Sequence, residues 1–264
     1  MQAKNIDEVI EFLDLIIEEN KEKQNTLGYF AALYQKVTCK VKDGIENNFF
    51  DDGPRMEKLD VIFANRYLKA YTEYQNQETP SKSWLATFNA HDKYWPIVLQ
   101  HLLLGMNAHI NLDLGIAAAT VSEGHDIEYL KDDFDKINKI LADLVGHVEA
   151  ELSQIWPILK KILKFTKGLN TFLINFSMEI ARDSAWKFAT LLADHDLSDW
   201  AILIKEKDNK VANYGKTILS PGFIISLLFK IIRLGERGTV KEKIEILEKD
   251  QVYNPNPSQE EMLI

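Results

Sequence analysis

Residues 99–121 read LQHLLLGMNAHINLDLGIAAATV. Leucine, methionine, isoleucine and alanine fill most of the circumference of a helix drawn through them, and no alternating pattern of the kind a strand requires is present. Two histidines, two asparagines and an aspartate interrupt this apolar run. Left unpaired in a core, each would cost several kcal/mol on the usual order of magnitude, so the fold, a metal or a bound molecule must satisfy them.

Outward from this rod the periodicity stays helical, and the chain is read as all-α, one multi-helix bundle-like domain over 1–250 with an extended tail over 251–264. Expected helices run from 7 to about 23 with Asp7 as cap, from 27 to 47, and from 54 to 75 after the turn FFDDGPR. Pro54 suits a first turn. A short helix around SWLATFNA is capped by Ser81 or Ser83, and Asp92 is the expected cap of the apolar rod. Ile127, Leu130, Phe134, Ile137, Leu141, Leu144, Val148, Leu152 and Ile155 keep to one arc of a long amphipathic helix, with a bend expected at Trp156-Pro157. KFTKGLN (164–170) reads as a loop, FLINFSMEIARDSAWKFATLLAD (172–194) as a helix, and a last pair is expected at 219–234 and 239–249. PGFIISLLFKII within that pair reads as a core helix.

The 264 residues carry 40 acidic and 31 basic side chains, a formal charge of -9. That balance weighs against nucleic acid or an anionic membrane as partner. One cysteine, Cys39, leaves no intramolecular disulfide and suits a reducing compartment. The acidic N-terminal helix is unlike a signal peptide, and no uncharged apolar window reaches the roughly 18–20 residues of a membrane span; a cytoplasmic location is expected. Phosphate loops, nucleophile elbows and basic aromatic stripes are absent from the sequence.

At about 100° per residue, His101, His109 and Asp113 share one stripe of the rod, while Asn107 and Asn111 lie opposite and are expected to fasten neighbouring helices. His109 and Asp113, one turn apart, can present an imidazole and a carboxylate to one ion, or let the carboxylate orient the ring of a general base. With His101 they offer a set for one divalent metal, zinc, iron or manganese, that leaves open positions for a water. HExxH and Glu-x-x-His patterns are missing, which argues against a di-iron centre. On the third helix, Asp60, Asn65 and Arg66 are polar in an apolar context and are candidate substrate-binding groups. Arg182, beside Trp186, could clamp an acidic substrate group, although Glu179 one turn before it is an obvious ion-pair partner. His147 with Glu151 and His195 with Asp199 repeat the spacing without an apolar setting, and are set aside.

YFAALYQKVTCKV (29–41), LDVIFANRYLKAY (59–71) and LLLGMNAHINLDLGIA (102–117) together resemble a bacterial family of unknown function, DUF5995, over about residues 25–195. NAHIN-x-DL is the specific part. The resemblance implies that Asn107, His109, Asn111 and Asp113, with Asp60, Asn65 and Arg66, belong to its motifs; it implies no activity. A looser similarity in type links His109/Asp113 and His147/Glu151 to the ligand pairs of zinc-dependent phospholipases C and nucleases. This chain is expected to depart from that group, with no export signal, no N-terminal tryptophan ligand and no Pro-Leu-His segment after the first pair. Two functions are therefore expected in competition. One is a water-activating, hydrolase-like enzyme for a small or lipid-like molecule in an apolar helical pocket. The other is a non-catalytic helical binding or scaffold protein whose polar core residues are structural.

Overall fold

Side-chain caps set where several helices of this computed structural model begin; the structure describes residues 1–156 and 178–249. Helix α1 (Ile6–Glu22) starts one residue before the expected Asp7 cap, because the Asn5 side chain accepts from the Glu8 backbone N–H at 2.8 Å. α2 (Gly28–Glu46) packs on it. α3 (Gly53–Gln75) has Asp52 as cap and Pro54 in its first turn, and α4 (Lys82–Phe88) is capped by Ser81.

The apolar rod begins later than Asp92, which is exposed. α5 (Val98–Ala108) follows Ile97, whose backbone N–H donates to the Gln100 side chain at 3.2 Å. The rod continues without a break through a π-helical segment (His109–Leu114) and α6 (Gly115–Val121). Length and composition alone would let Val98–Val121 cross a membrane, but 89% of its most apolar window is buried inside the protein. It is the central core helix of this fold. Gly115 permits a close approach there: a Cβ at that position would stand 2.8 Å from the Ala185 carbonyl oxygen.

A 3-10 turn (Ile127–Leu130), capped by Asp126, leads into α7 (Lys131–Ile155). The expected arc is its inner face: Leu130, Phe134, Leu141, Leu144, Leu152 and Ile155 are all buried. α8 (Met178–Ala193) packs on α6 and on the π segment. No element is expected from the sequence pattern between 195 and 218, yet α9 (Leu197–Leu219) fills that span and lies on α4 and α5. Its buried stripe is Asp208, Val211, Ala212, Gly215 and Ile218, too polar and too small-sided to stand out against KEKDNK.

α10 (Phe223–Gly235) and α11 (Val240–Glu248) close the described chain. α10 is not the core helix its composition suggests. Phe229 and Ile232 are buried, whereas Phe223, Ile224, Leu227, Ile231 and Leu234 are exposed, so only one side of it meets the core. The described residues contain no strand. The 164–170 loop, the first residues of the 172–194 helix, the chain beyond Trp156 where the bend is expected, and the 251–264 tail lie outside the described residues, as does the His147 side chain.

Candidate functional site

Asp113 is the residue on which the site is built. It is 1% exposed, and three elements supply its partners. Arg66 of α3 donates from Nε to Oδ1 at 2.6 Å, Trp84 of α4 donates from Nε1 to Oδ2 at 2.8 Å, and His109 Nδ1 meets Oδ2 at 3.3 Å. Burial acts to raise the carboxyl's pKa, but the Arg66 guanidinium and the His109 and Trp84 hydrogen bonds outweigh it and hold it below the ordinary carboxylate range. Burial also lowers the His109 pKa, against the opposing pull of Asp113. The pair at neutral pH is therefore an ionised carboxylate and a neutral imidazole. A carboxylate only accepts, so Nδ1 carries the ring proton and Nε2 keeps a lone pair.

The π segment carries both residues, in a conformation that recurs at functional sites. Around the imidazole is a nest of aromatic rings. Phe63 stacks on it with centroids 3.5 Å apart and planes 9° from parallel, and Tyr34 meets it edge-on at 4.5 Å. Phe30, Tyr67 and Trp84 complete the surround.

His109 lines a cavity of about 80 Å³ between α2, α3, the rod, α7 and α8. Its wall is aliphatic and aromatic apart from four side chains: Tyr34, Asp60, His109 and Arg182. Each of the four holds a buried polar atom with no hydrogen-bond partner, namely Tyr34 Oη, Asp60 Oδ2, His109 Nε2 and Arg182 Nε. The Thr38 hydroxyl donates to the Tyr34 carbonyl at 3.1 Å, and burial holds the Tyr34 phenol well above its ordinary pKa. Burial, with some help from Glu57, pushes the Asp60 carboxyl up to about 7. Burial likewise lowers the Arg182 guanidinium to about 10, against the opposing fields of the Asp135 and Asp183 carboxylates.

The site residues expected from sequence divide into three groups. His109, Asp113 and Arg66 are joined by direct bonds, and Asp60 and Arg182 share a cavity with His109. Asn65 is elsewhere: its side chain accepts from the Ala3 N–H at 2.7 Å and donates to the Ala3 carbonyl at 2.8 Å, fixing the N-terminus. His101 is also apart, edge-on to Tyr29 at 5.7 Å; burial and the fields of Arg233, His91 and Lys243 lower it to about 3. The expected Glu179–Arg182 pair does not form, because Glu179 is exposed while Arg182 turns inward, donates to the Phe134 carbonyl and lies over the Phe134 ring at 4.2 Å. Asn107 does fasten a neighbour, donating to the Val211 carbonyl of α9 at 3.0 Å.

The three residues expected to share one divalent metal are differently engaged: His101 lies against Tyr29, and His109 and Asp113 are bonded to each other. Both Asp113 oxygens are engaged, the facing His109 nitrogen is turned to the same carboxylate, and an incoming cation would be opposed by Arg66. Among the described residues no group of three or more His, Cys, Asp or Glu side chains is placed to hold a metal ion. Tyr34, Phe63 and Trp84 are the site residues the sequence pattern missed. Trp84 alone had a local signal, as the larger of two rings in a short helix, three residues after the capping Ser81.

The fold and site define an all-helical protein with a buried aspartate–histidine pair on an apolar cavity. Residues 6–221 match the model of the family of unknown function DUF5995, and the chain belongs to that family. No curated protein and no solved structure matches it.

Proposed function

We propose that this protein is an enzyme that performs general acid–base chemistry, without a bound metal, on a small apolar molecule held in the cavity against His109. The observation that carries the proposal is the gathering of four unsatisfied buried polar atoms on the wall of one otherwise apolar cavity. Buried polar groups are paired in the great majority of cases; four side chains that line one space, each with an orphan atom, make sense when a ligand completes their bonds.

In this reading His109 Nε2 is the base. It takes a proton from the bound molecule, or from a water held beside it, and Asp113 keeps the ring in the required tautomer and stabilises the imidazolium that forms. Arg66 and Trp84 fix Asp113 in turn. Asp60, whose carboxyl titrates near neutrality, supplies a second group able to give or take a proton. The aromatic nest excludes water and keeps the imidazole neutral until it reacts.

Incubation of the protein with a library of small apolar esters, amides, ketones and hydroxy compounds, followed by mass spectrometry, tests this. A substrate should be consumed, and His109→Gln should lower kcat at least ~100-fold, within the range a positioned general base supplies, with KM changed little. Equal turnover by His109→Gln overturns the assignment.

One observation favours a non-catalytic reading: Asp113 ties α3, α4 and the rod together, as a structural polar cluster would. Under that reading His109→Phe, which keeps a ring in the nest, preserves stability and ligand binding, and no library member is converted.

A further inference from the structure

Arg182 is the one cationic side chain on the cavity wall among the described residues, since His109 is neutral. It is 4% exposed. A buried charge is ordinarily paired, yet no acidic side chain among the described residues pairs with this one. Glu179 is exposed, and Asp135 and Asp183, the carboxylates whose fields reach it, are exposed on the protein surface. Asp60 shares the cavity but forms no ion pair with it. The guanidinium's bonding is a single hydrogen bond to the Phe134 carbonyl and the stack on the Phe134 ring, with Nε unsatisfied.

The geometry points to a ligand that brings the missing charge: an apolar monocarboxylate whose carboxylate sits on Arg182 and whose hydrocarbon portion lies against Leu33, Val37, Met56, Leu59 and Phe63. This rests on the cavity being a ligand site, as proposed above, and names the class of molecule it takes. One cation matches one negative charge, which favours a carboxylate over a phosphate dianion. The Tyr34 hydroxyl and a protonated Asp60 are further donors on the same wall, and an anionic ligand favours the protonated form of Asp60. A single ordered water needs ~10–15 Å³ of such space, so about 80 Å³ takes a group of roughly five to eight heavy atoms.

The test compares hexanoate, hexan-1-ol and hexylamine by calorimetry and thermal unfolding, on wild type, Arg182→Lys and Arg182→Met. Wild type should bind hexanoate at least tenfold more tightly than hexanol and reject the amine. Arg182→Lys should keep the order of preference, and Arg182→Met should bind hexanol while losing the advantage for hexanoate. Equal binding of hexanoate and hexanol by wild type overturns the carboxylate inference alone, whether or not the variants fold. So does a hexanoate preference that survives in Arg182→Met. Failure of all three probes to bind wild type overturns this inference together with the reading of the cavity as a ligand site.

Discussion

Asp113 has the most to lose from a single-atom change. Asp113→Asn replaces one acceptor oxygen with an N–H₂ group that faces either the Arg66 or the Trp84 donor, and it removes the charge that balances Arg66. Breaking a buried pair costs ~3–5 kcal/mol. Arg66 is 31% exposed at its side chain and can turn to water, so the lower end, about 3 kcal/mol, is expected in urea unfolding. Trp84→Phe deletes one donor and keeps most of the ring, and should cost roughly 1–2 kcal/mol. If Asp113→Asn unfolds at the same urea concentration as wild type, the network is not the keystone described. At this scale the His109/Asp113 pair was legible in the sequence because both members lie on one helix. Arg66 and Trp84 were not legible as its partners, since 47 and 29 residues separate them from Asp113 and only packing brings them together. Asp60 and Arg182 were visible as polar residues in apolar helices. That both would remain unpaired is a tertiary fact no spacing reveals.

Elements were legible where a broad apolar stripe marks them and obscure where it does not. α7 follows its arc, and the rod is buried as its composition demands. α9 escaped because its inner face is made of Asp208, Val211, Ala212, Gly215 and Ile218, and α10 misled because it is apolar on the outside as well as the inside. The rod's conformation changes at His109 without a proline or glycine to announce a π segment. Its packing is nonetheless specified in the sequence by Gly115, which brings α8 against the backbone. Gly115→Ala would place a methyl 2.8 Å from the Ala185 carbonyl and 2.9 Å from the Phe188 ring. The better helix propensity of alanine, ~1 kcal/mol, is outweighed by overpacking against a backbone atom, typically 1–3 kcal/mol and at times more. Gly115→Ala is therefore expected to lower the melting temperature; an increase would show that α8 yields readily and that the approach is not tight.

Across the whole molecule, buried titratable groups set a characteristic dependence of stability on pH. His101 and His109 are held neutral by burial, with native pKa values below the ordinary 6.5. The unfolded chain therefore binds more protons than the native one below about pH 6.5, and stability falls as the pH drops through that range. Asp60 acts with the opposite sign. Its pKa rises from 3.8 to about 7, so the native state binds the extra proton between those values, and stability is lost as pH rises through 7. At ~1.4 kcal/mol per pH unit the Asp60 penalty above pH 7 is roughly 4 kcal/mol. Asp60→Asn should thus be more stable than wild type at pH 8 and lose that advantage towards pH 4. The same variant should show a steeper acid-side decline, because the compensation is gone; urea titrations from pH 4 to 8 read both effects. A destabilised Asp60→Asn at pH 8 would mean that the ionised carboxylate has a partner.

The most direct measurement of the central claim is the protonation of the His109 ring, read from histidine ¹⁵N chemical shifts and assigned by the signals that His109→Gln removes. The ring is expected to be neutral at pH 7 with the proton on Nδ1 and a bare Nε2, and to take up its second proton below the ordinary 6.5. A proton on Nε2 at pH 7, or a ring already charged there, would leave no base in the cavity and would contradict it.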